Sequence, residues 1–114
     1  MNAVNLVLYP VSDVPAATKL FAKALGVDPY VESPYYVGFK TGEMEIGLTP
    51  KAMQKANGPI PFVNVNDINA MLETLIAAGA EKVQDVTDVA QGLLVASVKD
   101  ADGNPIGLRQ FPKG

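Results

Sequence analysis

The sequence predicts an α+β fold in which two tandem βαβββ modules form curved mixed sheets around a central cleft, with the helices outside. Three observations predict it. A β-rich run followed by an amphipathic helix and further strands occurs twice; both helix starts share a Val-x-Asp pattern, at residues 11–13 and 65–67; and the last strand of each half carries Ile-Gly-Leu, at residues 46–48 and 106–108. We expect one domain over residues 1–114, with module 1 at about residues 4–50 and module 2 at about residues 60–110.

The first module starts with a β-rich run at residues 5–11. Ser12 and Asp13 then provide a helix N-cap, Pro15 suits the first helical turn, and Gly26 has the place of a left-handed C-terminal cap. The apolar stripe of this helix is Ala17, Leu20, Phe21, Ala24 and Leu25. Two strands are predicted after it, at residues 35–40 and 43–49, joined by a turn at residues 41–42.

The second module repeats this plan, with a strand at residues 61–65, a cap at Asn66 and Asp67, and Gly79 closing the helix. Its apolar stripe is Ile68, Met71, Leu72, Leu75 and Ile76. Strands are predicted at residues 82–85, 92–98 and 105–110, and Asp102-Gly103 indicates a tight turn before the last one. Residues 51–59, with Asn57-Gly58-Pro59, are the predicted linker between the halves.

Side chains alternate between the two faces of a strand, so each strand position is assigned to one face. The residues expected to face the helices are Val7, Tyr9, Val11, Ile46, Leu48, Val63, Val65, Ile106 and Leu108. The residues expected to face the cleft are Leu6, Leu8, Glu45, Gly47, Thr49, Phe62, Asn64, Gly107 and Arg109. The candidate ligand-binding residues are the members of the second set other than Thr49, together with Tyr36.

The composition excludes several kinds of chemistry. The chain has no cysteine and no histidine, which removes disulfides, thiolate nucleophiles, imidazole bases and the commonest metal ligands. The net charge is −3 and the nine basic residues are scattered, which argues against a nucleic-acid partner. The sequence has neither an apolar run long enough to span a bilayer nor the start of a signal peptide, so we expect no membrane partner and a cytoplasmic location.

Two segments carry a family resemblance: Leu8-Tyr9-Pro10-Val11-Ser12-Asp13, which leads into the first helix, and Lys99-Asp100-Ala101-Asp102-Gly103-Asn104-Pro105-Ile106. With the order of elements over nearly the whole chain, they resemble the vicinal oxygen chelate superfamily of glyoxalase I, bleomycin-resistance proteins, fosfomycin-resistance enzymes and extradiol dioxygenases. The second segment is similar to the family's D-P-D-G-N turn, with Ala101 in place of proline. The resemblance implies paired βαβββ modules and a homodimer.

Enzymes of this superfamily hold one divalent metal with four side chains, from the first and last strands of each module. The resemblance places these positions at Leu6, Gly47, Ile60 (or an immediate neighbour) and Gly107. None of the four side chains has a donor atom. We therefore expect no metal, no cofactor and no lactoylglutathione lyase or dioxygenase activity of the family type, and fold alone does not carry a function over.

Glu45 and Arg109 are the charged candidates of the cleft. They either clamp a polar ligand or pair with each other across the cleft, and both are also the candidate catalytic groups for acid–base work on an enolisable substrate. Asn64 either hydrogen-bonds a ligand or a neighbouring loop. The two glycines, Gly47 and Gly107, either leave room for a ligand or relieve crowding in the sheet.

An aromatic cluster is predicted in the first half, from Tyr30, Tyr35, Tyr36 and Phe39. It either lines the cleft, where aromatic rings stack on planar ligands, or packs in the core and a dimer interface. Because Tyr35 and Tyr36 point to opposite faces, at most one of them enters the cleft.

Three functions remain open from the sequence. The leading hypothesis is a metal-independent member of the superfamily that binds a small organic molecule, such as a planar or cationic compound. The second is an enzyme of lyase or isomerase type that uses Glu45 and Arg109. The third is a structural or interaction protein whose cleft is filled by Leu6, Leu8, Ile60 and Phe62.

Overall fold

The computed structural model describes residues 1–54 and 58–113, so residues 55–57 of the predicted linker, Asn57 among them, lie outside the described part. The described residues contain two βαβββ modules, with eight strands, two α-helices and a short 3-10 helix at Lys51–Met53. The elements are β1 (Val4–Val11), α1 (Val14–Leu25), β2 (Val31–Glu32), β3 (Val37–Thr41), β4 (Met44–Pro50), β5 (Ile60–Asn64), α2 (Ile68–Ala77), β6 (Glu81–Ala90), β7 (Leu93–Lys99) and β8 (Pro105–Gln110). The chain divides into two units, residues 5–60 and residues 1–4 with 61–114.

The sheet of the first unit has the strand order β2-β3-β4-β1. β1 runs parallel to β4 and places Leu8 beside Gly47, whereas β3 runs antiparallel to β4 and places Gly38 opposite Gly47. The helix α1 covers one face of this sheet. The core there consists of Val37, Phe39 and Leu48, with Tyr9, Val11, Val14, Ala17, Phe21, Ala22, Leu25 and Ile46 packed against it.

Local sequence signals explain both ends of α1. The Asp13 carboxylate accepts a hydrogen bond from the Ala16 N–H, and Gly26 ends the helix in a left-handed conformation with φ of 71°. The predicted apolar stripe is partly wrong, because Leu20 is 67% exposed and Ala24 is also exposed. Consecutive residues of an α-helix point about 100° apart. Phe21 and Leu25 pack against the core, so the residues just before them, Leu20 and Ala24, point away from it.

The sheet of the second unit has the equivalent order β5-β8-β7-β6. β5 runs parallel to β8 and places Phe62 beside Gly107, and β7 places Ser97 opposite the same glycine. The helix α2 covers one face. The core consists of Val65, Ile68, Leu72, Ala96, Val98 and Leu108, with Val63, Met71, Leu75, Ala80, Val86, Leu94 and Ile106 against it.

Two details of the second unit differ from the expectation. Ile76 is 44% exposed, since Leu75 takes the place against the core. β6 is ten residues long, where a short strand at residues 82–85 was predicted, and its pairing with β7 shifts register at three places. These irregularities break the simple alternation of apolar and polar residues on which the strand prediction depended.

The assignment of strand residues to faces is confirmed for those that belong to the two cores or pack against them. The helix-facing set contributes Tyr9, Val11, Ile46, Leu48, Val63, Val65, Ile106 and Leu108 to the two cores. In the part of the chain that the structure describes, no helix is both long and apolar enough to cross a membrane.

Candidate functional site

Gly47 lies at the centre of the first unit's sheet, on the face away from α1. A Cβ built on it would come within 2.6 Å of Cε1 and 2.7 Å of the hydroxyl oxygen of Tyr36. Real side chains do not approach so closely, so the space that a side chain at position 47 would use is taken by the Tyr36 ring. Of the two interpretations of this glycine, the contact supports relief of crowding.

The Tyr36 ring is held over the sheet by a turn at residues 33–36. The Ser33 hydroxyl accepts hydrogen bonds from the N–H groups of Tyr35 (3.2 Å) and Tyr36 (3.0 Å), and the Ser33 N–H donates to the Tyr36 carbonyl at 2.9 Å. From β4, the buried Thr49 hydroxyl donates to the Tyr35 carbonyl at 3.1 Å. The strand β3 begins only at Val37, so Tyr36 belongs to this turn and not to the predicted strand.

Glu45 is the polar centre of the same face. Its Oε2 accepts a hydrogen bond from the Tyr36 hydroxyl and a second from the Tyr30 hydroxyl at 2.7 Å. The residue is half-buried. Its backbone position is set by two neighbours, since Leu6 of β1 and Lys40 of β3 are its cross-strand partners. Glu45 therefore forms a phenol–carboxylate cluster with Tyr30 and Tyr36.

Gly38 leaves space for the phenol–carboxylate cluster, just as Gly47 leaves space for the Tyr36 ring. A Cβ there would lie 2.8 Å from Cε1 of Tyr30, 3.0 Å from Oε2 of Glu45 and 3.0 Å from Cε2 of Tyr36. The Tyr30 N–H donates to the Gly38 carbonyl at 2.9 Å, which fixes the approach of Tyr30 to the sheet. The sequence reasoning did not consider Gly38, and it named Tyr30 only as a member of the aromatic cluster. The signal that was available is that Gly38 and Gly47 have the parity to oppose each other on neighbouring strands.

The predicted aromatic cluster does not form as one group. Phe39 is completely buried in the core on the α1 side, and Tyr35 is 64% exposed. Tyr36 faces the side opposite the helix, as expected, and Tyr30 joins it through Glu45. The alternation of side chains along residues 35–39 separates Tyr36 from Phe39.

Gly107 repeats the arrangement of Gly47 in the second unit. A Cβ built on it would lie 2.6 Å from both Cδ2 and Cε2 of Phe62. Phe62 is 7% exposed and is the cross-strand partner of Gly107. An aromatic ring thus covers the central glycine of the last strand in each unit. In the first unit the ring comes from a turn, and in the second it comes from the first strand.

Arg109 and Asn64 are neighbours in the same register and contact each other. Arg109 Nε donates to Asn64 Oδ1 at 3.0 Å, and the guanidinium carbon lies 4.8 Å from the centre of the Phe111 ring. Arg109 is 8% exposed, so its charge is largely removed from water. Phe111, which the sequence reasoning missed, follows β8 directly. The predicted pairing of Arg109 with Glu45 joins two separate units and stays a prediction, as does a shared acid–base site.

The remaining apolar candidates are all buried. Leu6 is 6% exposed, Leu8 7% and Ile60 4%. Leu8 adjoins Gly47, and Leu6 adjoins Glu45, in the β1–β4 pairing. The convergence of Leu6, Gly47, Ile60 and Gly107 on one spot concerns both units and also stays a prediction.

A metal centre of the kind implied by the resemblance does not fit these residues. Leucine, isoleucine and glycine side chains supply no oxygen, nitrogen or sulfur ligand. The space at Gly47 and Gly107 is moreover taken by aromatic rings, so even the backbone there is covered. Within residues 1–54 and 58–113, no three His, Cys, Asp or Glu side chains are grouped so as to hold a metal ion.

The turn at residues 100–104 has a structural explanation. The Asp100 carboxylate accepts hydrogen bonds from the N–H groups of Asp102 (2.9 Å) and Asn104 (2.8 Å) and from the Asn104 side chain (2.9 Å). The Asn104 side chain, followed by the Asn104 backbone N–H, holds the pKa of the Asp100 carboxyl below its usual value. All of this hydrogen bonding closes the turn into β8.

An open depression lies elsewhere in the first unit, at the N-terminal end of α1. Asp13, Lys19, Glu32 and Pro50 are among its lining residues. None of the predicted site residues lines it. It therefore does not define the candidate site.

Comparison with known proteins agrees with this architecture. The model of the Glyoxalase/Bleomycin resistance protein/Dioxygenase superfamily matches residues 3–108. The chain belongs to this superfamily. A comparison with curated proteins finds no match.

Several solved structures share the fold at low sequence identity. A Legionella pneumophila protein named NAD-dependent benzaldehyde dehydrogenase has a TM-score of 0.79 and 18% identity, covering 95% of this chain and 99% of that one. Methylmalonyl-CoA epimerase from Mycobacterium tuberculosis has a TM-score of 0.71 and 17% identity, and the match covers 96% of this chain and 88% of that one. A glyoxalase/bleomycin resistance protein/dioxygenase superfamily member from Vibrio splendidus 12B01 has a TM-score of 0.69 and 15% identity, and the match covers 96% of this chain and 98% of that one. These likenesses show the fold alone.

Proposed function

We propose that this protein binds a small organic molecule without a metal ion at the four ligand positions of its superfamily. The binding surface is the sheet face opposite each helix. In the first module it comprises Leu6, Leu8, Tyr36, Glu45 and Gly47, and in the second Phe62, Asn64, Gly107 and Arg109. The protein acts by holding the molecule, as a sequestering or sensing protein does.

The observation that carries the proposal is the replacement of ligand positions by aromatic surface. The superfamily resemblance assigns metal-binding carboxylates to the positions of Gly47 and Gly107, and in this chain the rings of Tyr36 and Phe62 lie against those glycines. An aromatic ring offers a flat apolar face for a ligand and no strong donor for a divalent metal. The polar groups nearby, Glu45 in one module and Arg109 with Asn64 in the other, supply orientation and specificity.

The test is a thermal-shift screen of the purified protein against a library of small organic molecules and against Mg²⁺, Mn²⁺, Ni²⁺ and Zn²⁺. We expect stabilisation by one class of organic compounds and none by the metals, since only bound ligands raise the melting temperature. Phe62→Leu, which keeps an apolar side chain but removes the ring, should weaken the binding of hits. Stabilisation by a divalent metal at micromolar concentration, together with activity on a thiol adduct of methylglyoxal, would contradict the proposal.

A second candidate is an interaction protein with no room for a ligand. It is favoured by the burial of Leu6, Leu8, Ile60 and Phe62, each at most 7% exposed. A screen in which no compound stabilises the protein, and in which no backbone amide near Gly47 or Gly107 shifts in NMR spectra, would favour this candidate over the first.

We also expect a homodimer, as the superfamily resemblance implies. Size-exclusion chromatography with light scattering measures the mass directly. A monomeric mass over the whole accessible concentration range would contradict the expectation.

A further inference from the structure

A row of paired residues crosses the sheet of the second unit. Phe62 of β5 pairs with Gly107 of β8, and Ser97 of β7 is the partner of Gly107 on its other side. Ser97 in turn pairs with Gln84 of β6. Directly paired residues of neighbouring strands share one face of a sheet. Both chain neighbours of Ser97 belong to the core on the α2 side, so the row lies on the face away from the helix.

A register shift brings Gln84 into this row. Lys82 pairs with Val98, whereas Gln84, two positions later, pairs with the adjacent Ser97. Consecutive residues of β7 point to opposite faces, so the shift turns Gln84 away from the face that Lys82 shares with Val98. A second shift follows between Gln84 and Thr87. Simple alternation along the sequence therefore does not reveal the position of Gln84.

The polar groups of Ser97 and Gln84 have no hydrogen-bond partner among the described residues. Ser97 is nevertheless only 8% exposed, and Gln84 is half-buried. Within residues 1–54 and 58–113, no fully buried side-chain oxygen or nitrogen lacks a partner. The Ser97 hydroxyl and the Gln84 carboxamide therefore retain contact with solvent, and their hydrogen-bonding capacity is available to a ligand.

Polar groups in the two adjacent rows are engaged with one another. On one side, Lys99 Nζ lies 3.2 Å from the Glu81 carboxylate. On the other, Arg109 Nε donates to Asn64 Oδ1 at 3.0 Å. The row between these pairs contains no charged residue, so a ligand group that enters it meets uncharged donors and acceptors.

The first unit has a different arrangement at the equivalent place. Gly38 of β3 pairs with Gly47, which is the counterpart of Gly107. Gly38 therefore has the place that Ser97 has in the second unit, but its space is taken by the phenol–carboxylate cluster. The neutral polar pair belongs to the second unit's face.

We propose that Ser97 and Gln84 form a subsite for the carboxamide group of an uncharged organic ligand. The inference rests on the proposed function and names a group that its ligand carries. The ligand carbonyl accepts a hydrogen bond from Ser97 Oγ, and the ligand N–H donates to Gln84 Oε1. Cβ atoms of directly paired residues lie roughly 5 Å apart, so one carboxamide reaches both side chains.

The two contacts select a ligand by its donors and acceptors. A carboxamide supplies both an acceptor and a donor, whereas a ketone supplies only the acceptor. Solvent at these groups leaves when a ligand enters, so a ligand that cannot replace both hydrogen bonds loses affinity. A carboxylate would have to lose the hydration of its charge in a row without a cation. The expected order of affinity is therefore carboxamide first, with ketone and carboxylate below it.

The experiment is an NMR titration of the ¹⁵N-labelled protein at neutral pH with benzamide, acetophenone and benzoate, which share a phenyl ring. We expect benzamide to bind about threefold to tenfold more tightly than acetophenone, which is the effect of one additional neutral hydrogen bond. Benzoate should also bind more weakly than benzamide. The shifts caused by benzamide should centre on the amides of residues 84, 96–98 and 107.

Two variants separate the two contacts. Ser97→Ala removes the donor to the carbonyl and should weaken benzamide and acetophenone alike, by about threefold to tenfold. Gln84→Met keeps the side-chain length but removes the carboxamide. It should weaken benzamide to the level of acetophenone and leave acetophenone unchanged. The matched control is Ser12→Ala, which removes an exposed hydroxyl from the first unit and should change neither affinity.

A stability measurement separates this role from a structural one. Ser97→Ala should unfold at the urea concentration of the wild type, because its hydroxyl has no hydrogen-bond partner within the described residues. A lower urea midpoint with unchanged benzamide affinity would overturn the inference, since the hydroxyl would then serve the fold. Gln84→Met, on the edge strand β6, provides an independent test through the ratio of the benzamide and acetophenone affinities.

The outcomes distinguish the inference from the proposed function. If benzamide has no preference over acetophenone, if benzoate binds most tightly, or if Gln84→Met weakens acetophenone as much as benzamide, the inference is overturned and small-molecule binding still stands. If no probe and no library compound shifts an amide on the sheet faces opposite the helices, the proposed function falls, and the inference falls with it.

Discussion

Two residues decide how each module uses its sheet face. Gly47 and Gly107 occupy equivalent places in the repeated Ile-Gly-Leu, and each lies under an aromatic ring. The rings come from different places in the chain. Phe62 is the parallel-strand neighbour of Gly107, while the corresponding neighbour of Gly47 is Leu8, and Tyr36 supplies the ring instead. The same packing is therefore reached by two different pairs of residues.

Gly47→Ala tests whether this contact is tight. We expect a loss of about 1–3 kcal/mol in the free energy of unfolding, because the added methyl group overlaps the Tyr36 ring and one of the two must move. Urea denaturation measures the loss. Gly58→Ala is the matched control, since a Cβ at position 58 meets nothing within 4 Å.

Combining Gly47→Ala with Tyr36→Ala should make the glycine substitution nearly neutral relative to Tyr36→Ala alone, because the overlapping ring is gone. Equal costs of Gly47→Ala with and without the tyrosine ring would show that the ring is not the obstacle.

Asp100→Asn tests the hydrogen-bonded turn before β8. The pKa of Asp100 is lowered in the folded protein, so its charged form contributes stability at pH values above the unfolded pKa, and this share is lost as the pH falls through the folded pKa. The difference in unfolding free energy between wild type and Asp100→Asn should be constant near neutral pH and shrink in acid. Asp102→Asn removes a charge from the same turn and is the control. A difference that grows in acid would contradict this account.

At the scale of elements, the two helices start in the same way. Asp13 and Asp67 cap α1 and α2 through the N–H groups of Ala16 and Ala70, at 3.0 and 3.1 Å. α2 has an additional bond, because Gln110 of β8 accepts from the Ile68 N–H at 2.8 Å. The start of α2 is therefore tied to the strand that carries Gly107 and Arg109.

Asp67→Ala should cost about 1 kcal/mol of unfolding free energy, the usual effect of losing a side-chain cap. Chemical denaturation provides the measurement. Asn66→Ala, at the exposed residue before it, should cost much less. If the two substitutions were equally costly, the hydrogen bond from Ala70 would not be the stabilising contact.

Most elements could be predicted because their signals are local. The caps at Asp13 and Asp67, the glycine after α1 and the alternation along β1, β4, β5 and β8 depend only on neighbouring residues. The register shifts of β6 and the exposure of Leu20 could not be predicted. They depend on how β6 pairs with β7 and on how α1 packs against its sheet. Register shifts and the rotation of a helix leave no simple periodic signal.

The candidate site was predicted in part for the same reason. Strand parity assigned Glu45 and Gly47 to one face of the first unit's sheet, and Phe62 and Arg109 to one face of the second unit's sheet. It did not identify Tyr30 or Phe111, which reach the site from irregular segments, nor the turn at Ser33 that places Tyr36 over Gly47. Contacts between a turn and a sheet depend on tertiary packing, which a single sequence does not reveal.

At the scale of the whole molecule, the chain combines the superfamily's repeated scaffold with positions that cannot serve its metal. The fold is shared with proteins that differ in their named activities, so the scaffold alone does not decide function. The proposed function depends on the chemistry of the four positions that the resemblance assigns to metal ligands, Leu6, Gly47, Ile60 and Gly107, and on the aromatic rings that lie against two of them. The proposed function, which needs no metal, rests on that chemistry.

Calorimetric titration of the chelator-treated protein with Mn²⁺, Ni²⁺ and Zn²⁺ tests this claim most directly. We predict no saturable heat at micromolar concentration and an unchanged melting temperature after chelation, because no three His, Cys, Asp or Glu side chains of residues 1–54 and 58–113 are grouped to hold a metal ion. Binding of one equivalent of metal with micromolar affinity, abolished by changes at residues of the sheet faces opposite the helices, would contradict it.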